Sequence, residues 1–478
     1  MGLYTFKQMF QIEEKIFSEY ELSPEILMEH AGFAMAQRIE TLCKDRSLSS
    51  VAVLCGRGHN GGDGFVIARA LLSKGLDVRL FAAEGEAKPL TALNRRRCER
   101  QGLYVEPLSV FEPSSQTAVV DALFGIGLNH PLAETWQPLF ERIRQASPFV
   151  IAVDAPSGIF DERQPTDPIL TADFTLTVER RKTDFYTPAN RNACGFIETV
   201  SAAFPANAFP PPAAALGAMP SPHPFSLFDF KNSKGHIALH AGCAAYPGAA
   251  VLAARAAFKT GAGLVSLFTD TETARSVLSE EPSVILADDT ALPSPQTFSV
   301  WACGCGWGCL EKRLPILKTF IETPMPRVLD ADGLNLAAEY FPDARFADGA
   351  ILTPHPGEWR RLCPGSARFY DDLLRFSAEK NAVIVYKSSF TAIASPQGDL
   401  TVFDSPVPEL GTAGSGDVLT GITAAALLRR QDPYSAAVEA VAIHNKAGKN
   451  AAAGGPFTAA DLIEAAAALV TTQGERSL

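Results

Sequence analysis

Two glycine-rich turns, each carrying an aspartate, constrain this chain more than any other feature. They are Gly56-Arg57-Gly58-His59-Asn60-Gly61-Gly62-Asp63-Gly64 and Gly411-Thr412-Ala413-Gly414-Ser415-Gly416-Asp417, and each joins a predicted strand to a predicted helix. Backbone N–H groups at such a turn, and at the N-terminus of the helix that follows, converge on an anion. The sequence therefore predicts two anion-binding sites in α/β structure, each with a carboxylate at its edge.

Length and charge limit the classes of protein that fit. The chain has 478 residues, of which 47% are hydrophobic and 20% are charged. It is too long for one ordinary domain, so we expect two domains with separate cores. The net charge of −11 and the pI near 5.3 disfavour nucleic acids and anionic membranes as partners, because both need basic patches. Small anionic ligands held by backbone amides fit this charge.

Cysteine usage and hydropathy predict a cytoplasmic protein. The 9 cysteines are scattered and odd in number, which disfavours a disulfide framework. No long apolar run predicts a membrane span, and the first residues lack the pattern of a signal peptide. Cys303, Cys305 and Cys309 form a cluster, but the glycines between them favour a tight turn over a metal site.

A proline- and alanine-rich stretch from Phe204 to Phe225 marks the domain boundary. Because such composition forms semi-rigid linkers, we predict a first domain at 1–206, a linker at 207–224 and a second domain at 225–478. Strands and helices alternate on both sides, which is typical of α/β domains with largely parallel sheets. Predicted strands are Val51–Cys55, Asp77–Phe81, Ala118–Asp121, Val150–Asp154, Ile237–His240, Leu264–Phe268, Val328–Asp330 and Val383–Tyr386, and predicted helices include about Asp63–Ser73 and Val418–Leu428.

The first turn also fits a dinucleotide-binding fingerprint. Gly56, Gly58 and Gly61 have the Rossmann spacing after a strand, and Glu84 lies about 20 residues further on, where a ribose-binding acid belongs. Against this interpretation, Asp63 would bring a negative charge close to a pyrophosphate unless a cation intervened. The aspartate therefore favours a different kind of site.

Oxygen-bearing side chains are expected to meet near this turn. Asp121 and Asp154 each end a strand before a glycine turn, and Asn60 lies in the first turn itself. The carboxyl ends of parallel strands share one crevice, where Asn60, Asp121 and Ser157 could give hard oxygen ligands to a monovalent cation. The simpler alternative is that the aspartates cap helices or turns. Lys182 could neutralise a phosphate or belong to a solvated basic run.

These motifs resemble those of the NAD(P)H-hydrate epimerases. The likeness rests on Gly56–Gly64, Asp121–Leu128 and Val153–Gly158 and covers roughly the whole first domain, although His59 stands where the family usually has a second asparagine. It implies a Rossmann-like three-layer α/β domain in which Asp154 is a candidate general base. The implied hydrate-binding residues are His59, Asn60, Gly61, Gly62, Asp63, Gly125, Ile126, Gly127, Leu128, Asn129, His130, Pro131 and Asp154, and the implied potassium ligands are Asn60, Asp121 and Ser157.

The second turn predicts phosphoryl transfer. Its amides open a helix and can stabilise charge on a transferring group, while Asp417 takes the proton from an attacking hydroxyl. The alternative for this motif alone is a helix N-terminus capped by Ser415 and Asp417.

Other motifs of the second domain fit such a site. Asp330 and Asp332 end a strand, where they could act on the magnesium of a nucleotide or simply terminate the strand. His355 lies between two prolines in a loop, so we expect it in a ligand crevice rather than in the core.

Together these motifs resemble the ribokinase-like ADP- or ATP-dependent NAD(P)H-hydrate dehydratases, over roughly residues 225–475. The specific pairing is Thr353–Glu358 with Gly411–Leu419, whereas the family usually has Gly-Gly-Ser at Ala241–Cys243 and glycine at Ser388 and Ala413. The implied hydrate-binding residues are Gly263, Gly306, His355 and Asp417, and the implied nucleotide-binding residues are Lys387, Ser388, Ser389, Phe390, Thr391 and Gly416.

The two resemblances in one chain imply an enzyme that repairs hydrated NAD(P)H. It would epimerise the R- and S-hydrates and dehydrate the S form through a phosphorylated intermediate, with potassium, magnesium and ADP or ATP; the fused arrangement implies ADP. We expect small-molecule substrates, no nucleic-acid or membrane partner, and a homo-oligomer. Two alternatives stay open. The second domain could be a vitamin or sugar-alcohol kinase, and the first could be a Rossmann-type module that senses intact dinucleotide.

Overall fold

The computed structural model describes residues 2–220, 230–309, 311–365, 368–404, 406–430 and 432–473. The chain forms two compact units, Met1–Ala215 and Leu216–Leu478. The prediction of two α/β domains is confirmed. Within the predicted linker 207–224 the structure places a short strand, Ala214–Leu216, while residues 221–224 lie outside the described residues.

The first unit alternates strands and helices along most of its length. Its strands are β1 (Gly2–Leu3), β2 (Ser50–Cys55), β3 (Asp77–Ala82), β4 (Val105–Pro107), β5 (Thr117–Ala122), β6 (Phe149–Val153), β7 (Phe174–Val178), β8 (Phe196–Val200) and β9 (Ala214–Leu216), and its helices are α1 (Phe6–Glu19), α2 (Pro24–Asp45), α3 (His59–Ser73), α4 (Pro89–Arg100) and α5 (Gln137–Ala146).

Seven parallel strands form the main sheet of this unit, in the order β4-β3-β2-β5-β6-β7-β8. The first six follow the order of a doubly wound nucleotide-binding sheet, with its switch point between β2 and β5. Apolar residues of α2 and α3 pack on one face and those of α5 on the other, which makes three layers. The carboxyl ends of β2, β5 and β6 therefore lie side by side at the edge where such sheets bind ligands.

Helix α3 begins four residues earlier than the predicted start at Asp63. It begins at His59, so Gly61, Gly62 and Gly64 are helical, whereas Gly56 and Gly58 precede the helix. A Cβ on Gly61 would lie 1.9 Å from the carbonyl oxygen of Gly56, which shows how closely the helix meets the end of β2. Glycine has a low helix propensity, and here this backbone packing outweighs it.

The second unit contains nine strands and nine helices among its described residues. The strands are β10 (His236–His240), β11 (Leu264–Thr269), β12 (Ile285–Asp288), β13 (Val300–Cys303), β14 (Arg327–Leu329), β15 (Ala350–Leu352), β16 (Ala382–Lys387), β17 (Thr391–Ala394) and β18 (Leu400–Phe403). The helices are α6 (Pro247–Lys259), α7 (Thr271–Glu280), α8 (Leu314–Glu322), α9 (Ala331–Tyr340), α10 (Pro356–Leu362), α11 (Phe369–Lys380), α12 (Ser415–Arg429), α13 (Pro433–Ala452) and α14 (Ala459–Gln473).

The sheet of this unit runs β12-β11-β10-β13-β14-β15-β16 with all seven strands parallel, and the antiparallel pair β17 and β18 extends it past β16. Alanines of α6, α12 and α13 dominate the core. Small side chains let these helices approach closely: a Cβ on Gly421 would lie 2.3 Å from the carbonyl oxygen of Ala253. This packing fixes α12, whose first turn carries the second motif.

Two further features concern the whole described chain. None of the described helices combines the length and apolar character needed to cross a membrane. All nine cysteines are free thiols, and Gly304, Gly306 and Gly308 adopt positive φ angles of 116°, 54° and 74°. The cluster around Cys305 is therefore a tight glycine turn, as predicted.

Candidate active sites

The first candidate site begins at the glycine turn between β2 and α3. Gly58 is the N-cap of α3 and supplies no side-chain hydrogen bond to the first turn. A side chain of α4 holds the turn instead, since Thr91 Oγ1 donates a hydrogen bond to the Gly58 carbonyl over 2.8 Å. The N–H groups at the start of α3 are consequently not satisfied by a capping side chain, which leaves them for an anionic ligand.

Asn60, Asp121 and Ser157 meet beside this turn. The Ser157 N–H donates to Asp121 Oδ2 over 2.8 Å, its hydroxyl donates to Oδ1 over 2.5 Å, and the Phe124 N–H donates to the same hydroxyl over 2.9 Å. Asn60 Oδ1 lies 2.9 Å from the point where a Cβ on Gly125 would sit. Asn60 Nδ2 is buried without a hydrogen-bond partner. The structure thus brings the three predicted oxygen ligands to the same loop.

Asp121 is a buried carboxyl group without a cation. It is fully buried, and within the described residues it forms no ion pair. Burial raises its pKa to about 6, although the hydrogen bonds from Ser157 and Leu123 act in the opposite direction. A buried ionised carboxylate is costly unless it is neutralised, so this oxygen-lined position suits a bound cation.

The loop after β5 supplies the rest of the predicted hydrate-binding residues. Ile126 and Leu128 are 8% and 9% exposed and anchor the loop to the unit. Gly127, Asn129, His130 and Pro131 are exposed, and His130 Nδ1 lies 2.9 Å from the carbonyl oxygen of Pro131. His59 is likewise exposed at the start of α3. The exposed members are the ones free to contact a ligand.

Asp154 follows β6 with a φ of 62°, a left-handed conformation that is uncommon for aspartate. Its Oδ1 accepts hydrogen bonds from Lys182 Nζ over 2.8 Å, from Thr177 Oγ1 over 3.1 Å and from the Val178 N–H over 3.1 Å. Lys182 is 0% exposed. The interpretation of Lys182 as part of a solvated basic run is therefore wrong: its ammonium is the buried counter-ion of Asp154.

Two further acids lie near this ion pair. Burial, with Asp154 and Glu13 close by, raises the pKa of Asp63 well above its ordinary value. Burial and Asp154 raise the pKa of Glu13 to about 7, while Lys182 lowers it. A protonated Asp63 carries no charge to oppose an anionic ligand, which removes the objection that its position in the first turn raised. No sequence motif marked Glu13, which lies in an ordinary amphipathic helix.

The second candidate site lies at the start of α12. Gly414 is its N-cap, with a φ of 89° and no side-chain hydrogen bond to the first turn. Ser415 does not cap the helix, because its hydroxyl donates to the Leu410 carbonyl over 2.7 Å. Burial and the neighbouring Asp330 raise the pKa of Asp417 to about 6, while a hydrogen bond from the Cys305 thiol lowers it. Asp417 thus stands beside a helix N-terminus that no side chain caps.

Lys387 and Asp330 form the buried ion pair of this site. Lys387 Nζ lies 2.9 Å from Asp330 Oδ1, and Thr420 Oγ1 donates to Asp330 Oδ2 over 2.8 Å. A Cβ on Gly416 would lie 3.7 Å from Lys387 Nζ, so the ammonium faces the N-terminus of α12. Burial alone would lower the pKa of Lys387, and Asp330 and Glu358 raise it above its ordinary value.

Asp332, the second acid of the predicted pair, contacts the glycine-rich segment after β13 rather than the Lys387–Asp330 ion pair. Its Oδ2 accepts a hydrogen bond from the Gly308 N–H over 2.8 Å and its Oδ1 lies 3.4 Å from the Cys309 sulfur. Among the described residues, no group of three or more His, Cys, Asp or Glu side chains is arranged to hold a metal ion.

His355 lies next to the ion pair and caps α10. Its Nδ1 accepts hydrogen bonds from the N–H groups of Gly357 over 2.9 Å and Glu358 over 3.4 Å, and its side chain is 53% exposed. The Lys387 N–H donates to the Pro354 carbonyl over 2.9 Å, which ties the two segments together. Burial raises the pKa of Glu358 to about 7. The imidazole is therefore exposed at the site, as expected from the sequence, and not in the core.

The remaining predicted residues of this domain lie at two different edges of the sheet. Gly306 follows β13 and Lys387 ends β16, so both share the carboxyl edge with Asp417. Gly263 immediately precedes β11 and lies at the opposite edge, where a Cβ would meet the Lys231 carbonyl oxygen at 1.9 Å. The structure does not bring Gly263 together with the other three hydrate-binding candidates.

The turn from Lys387 to Thr391 joins β16 to β17, with the Ser388 N–H donating to the Phe390 carbonyl over 2.8 Å. Ser388 and Ser389 are exposed at the site edge, whereas the Phe390 ring is 1% exposed and packs against Tyr386. The Phe390 side chain is thus not available to a ligand. Ser388 and Ala413 are both exposed and neither has a positive φ, so neither position requires glycine.

Two family models match this chain, one within each unit. Residues 24–183 match the family model described as YjeF-related protein N-terminus, and residues 237–467 match the model described as NAD(P)H-hydrate dehydratase. The bifunctional NAD(P)H-hydrate repair enzyme Nnr of Coxiella burnetii is 32% identical over 94% of this chain and 95% of its own length, and that of Gloeobacter violaceus is 32% identical over 92% of each chain. The chain belongs to the bifunctional NAD(P)H-hydrate repair enzyme family.

A solved structure also resembles about half of this chain. The ADP/ATP-dependent NAD(P)H-hydrate dehydratase from Bacillus subtilis, crystallised with ATP and Mg²⁺, covers 52% of this chain and 94% of its own, with 24% identity and a TM-score of 0.48.

We predict that Lys182→Met destabilises the first unit by about 3–5 kcal/mol, because it leaves the Asp154 carboxylate enclosed without its cation. Adding Asp154→Asn should recover most of this loss, since the double variant holds no unpaired charge. Urea unfolding, with hydrogen exchange followed in β6 and β7, measures both effects. Lys44→Met is the control: Lys44 has a side chain that is 72% exposed, so we expect a change within about 0.5 kcal/mol. Equal stability of Lys182→Met and wild type would contradict the proposed pairing.

Proposed function

We propose that this chain repairs hydrated NAD(P)H in two steps: the first domain epimerises the R- and S-hydrates, and the second dehydrates the S-hydrate using an adenine nucleotide. The observation that carries the proposal is that one chain holds both sites, each with an acid beside a helix N-terminus that no side chain caps. A dehydratase that accepts one epimer gains from an attached epimerase, because spontaneous hydration gives both. This pairing favours repair over ordinary redox use of the cofactor.

In the epimerase site, the start of α3 and the exposed part of the loop from Gly125 to Pro131 would hold the phosphates of the hydrate. Asp154 is then the general base that accepts a proton from the hydrated ring. Its partner Lys182, at 2.8 Å, keeps the carboxylate in a fixed orientation and balances its charge. The raised pKa of Asp63 lets this acid stay neutral beside the ligand phosphates.

Asn60, Asp121 and Ser157 would hold potassium in the same site. The fit rests on the buried Asp121 carboxyl, which has no cationic partner among the described side chains, and on the hydroxyl and amide oxygens beside it. Oxygen donors of this kind suit a hard cation. A bound potassium ion would neutralise Asp121 and so stabilise the loop on which Gly125 lies.

In the dehydratase site, Asp417 takes the proton of the ring hydroxyl while the hydroxyl oxygen attacks the terminal phosphorus of the nucleotide. The bond from that phosphorus to the bridging oxygen of the nucleotide breaks, so that ADP is converted to AMP, which is the leaving group. The bond from the ring carbon to the phosphate oxygen then breaks, and phosphate leaves with the electron pair. Loss of a proton from the neighbouring ring carbon restores the double bond of NAD(P)H. The uncapped N–H groups of α12, and Lys387 facing them, would stabilise the charge on the transferring group.

The nucleotide would lie along the turn from Lys387 to Thr391 and at Gly416. Magnesium would arrive with the nucleotide phosphates, because Asp330 and Asp332 already accept hydrogen bonds from protein groups. The fused arrangement of the two domains favours ADP over ATP. We assign epimerisation to residues 1–206 and dehydration to residues 225–478. We also propose that the protein is a homo-oligomer in the cytoplasm. The nine free thiols support the cytoplasmic location.

We predict that the two acids separate the two activities. Asp417→Asn should abolish dehydration and leave epimerisation, because the amide cannot accept the hydroxyl proton; Asp154→Asn should do the reverse. Each activity is measured on the full-length variant, epimerisation without nucleotide by chromatography and dehydration by the absorbance of NADH. Loss of both activities in either variant, with its unfolding curve unchanged, would refute the assignment of two independent sites.

The pKa of Asp417 predicts the pH dependence of dehydration. Asp417 acts as a base only when ionised, so kcat should fall as the pH drops through about 6. Cys305→Ala removes a hydrogen bond that lowers this pKa, so the fall should move to higher pH. Initial rates from about pH 5 to about pH 8, corrected for uncatalysed loss of the hydrate, test this. A fall at the same pH in both proteins would show that another group controls the rate.

A further inference from the structure

Helix α1 is attached to the segment that carries Lys182. The Tyr4 N–H donates to the Arg181 carbonyl over 3.1 Å, and the Thr183 N–H donates to the Tyr4 carbonyl over 2.9 Å, so main-chain bonds bracket Lys182. The Phe6 N–H at the start of α1 donates to Asp184 Oδ2 over 3.1 Å. The N-terminal half of α1 is therefore fixed beside the Asp154–Lys182 pair.

The same helix reaches the ligand-binding loop. The tip of the Phe10 ring lies 3.8 Å from the point where a Cβ on Gly127 would sit. Glu13 is one helical turn beyond Phe10 and seven residues beyond the buried Phe6, a spacing that puts all three on one side of α1. The Glu13 carboxyl is thus directed toward the region between the loop and Asp154.

Glu13 has no structural partner that explains its position. Its carboxyl forms no hydrogen bond or ion pair within the described part of the chain. The charged groups that face it are Asp154 after β6, Lys182 after β7 and Asp63 in the first turn of α3. Asp154, Glu13 and Asp63 thus interact with one another while only Asp154 is paired with Lys182, an arrangement that favours a proton on at least one acid.

Resting on the proposed epimerase activity, we propose that Glu13 is a second acid–base residue of the epimerase site and works with Asp154. Asp154 removes the proton of the hydroxyl on the hydrated carbon while the bond from that carbon to the ring nitrogen breaks. The electron pair goes to the nitrogen, which takes a proton from Glu13. The aldehyde group formed by ring opening then rotates, and the ring nitrogen attacks its other face. This closure reverses both proton transfers, so atoms and charge balance without an oxidant or reductant.

The chemistry explains why two groups are needed. A carboxylate paired with an ammonium has no proton to donate, and Asp154 is held by Lys182 as the acceptor. Burial and Asp154 give Glu13 a pKa of about 7, which suits a group that must lose and regain a proton near neutral pH. Burial, Asp154 and Glu13 raise the pKa of Asp63 well above its ordinary value, so the neighbouring Asp63 favours its neutral form.

The test compares Glu13→Gln, Glu13→Asp and Glu14→Gln in the full-length protein, with purified R-hydrate as substrate and no nucleotide. Glu14 is the exposed neighbour on the same helix and should leave the rate unchanged. We expect Glu13→Gln to lower kcat for epimerisation by about 10²- to 10⁴-fold with little change in KM, and Glu13→Asp to recover part of the rate. In wild type the rate should fall as the pH rises through about 7, and this fall should be absent from the residual rate of Glu13→Gln.

The outcomes separate the role of Glu13 from the epimerase activity itself. Because Glu13→Gln removes a carboxyl group that makes no hydrogen bond within the described residues, its thermal unfolding midpoint should not decrease. A wild-type rate in Glu13→Gln, or a pH profile identical to that of wild type, would overturn the role of Glu13 and leave the proposed function standing. No epimerisation by wild type would overturn both.

Discussion

Both candidate sites depend on a helix that begins directly after a glycine turn without a side-chain cap. Gly58 and Gly414 occupy the N-cap positions of α3 and α12, and neither provides a hydrogen bond to the first turn. The first N–H groups of a helix need an acceptor, so each helix is stabilised by an anion placed at its end. Sheet topology then supplies the chemistry, because strand ends at the same edge carry the acids and lysines.

The two sites also arrange charge in the same way. Each holds one acid in a buried ion pair, Asp154 with Lys182 and Asp330 with Lys387. Each places a second acid nearby, and burial raises its pKa to about 7 for Glu13 and about 6 for Asp417. Environments that separate the pKa values of neighbouring acids define which group gives and which takes a proton. This likeness arises on two sheets of different strand order.

Much of this could be predicted from the sequence, and the gaps have physical causes. The strands and both glycine motifs were predictable because apolar runs and turn residues are local signals. The start of α3 at His59 was missed because glycine disfavours helices, and only packing against Gly56 reveals it. Lys182 looked like one member of a basic run, since nothing in the local sequence shows that its chain is buried. Gly263 shares a motif with Leu264 but lies at the far end of β11, which only the topology shows.

The departures from the family pattern have a similar explanation. Ser388 and Ala413 are exposed and keep negative φ angles, so a side chain is accommodated at both positions. Glycines are required where backbones touch, as at Gly61 and Gly421. Sequence comparison alone does not separate these two kinds of position.

The most direct test of the central claim is the recovery of NADH from a purified mixture of R- and S-hydrates. The protein is supplied with magnesium and potassium, in the presence and absence of ADP or ATP. Two working sites predict complete recovery that requires the nucleotide. Recovery of the S share alone would contradict an active epimerase site, and no recovery would contradict hydrate repair and favour a kinase of another small molecule.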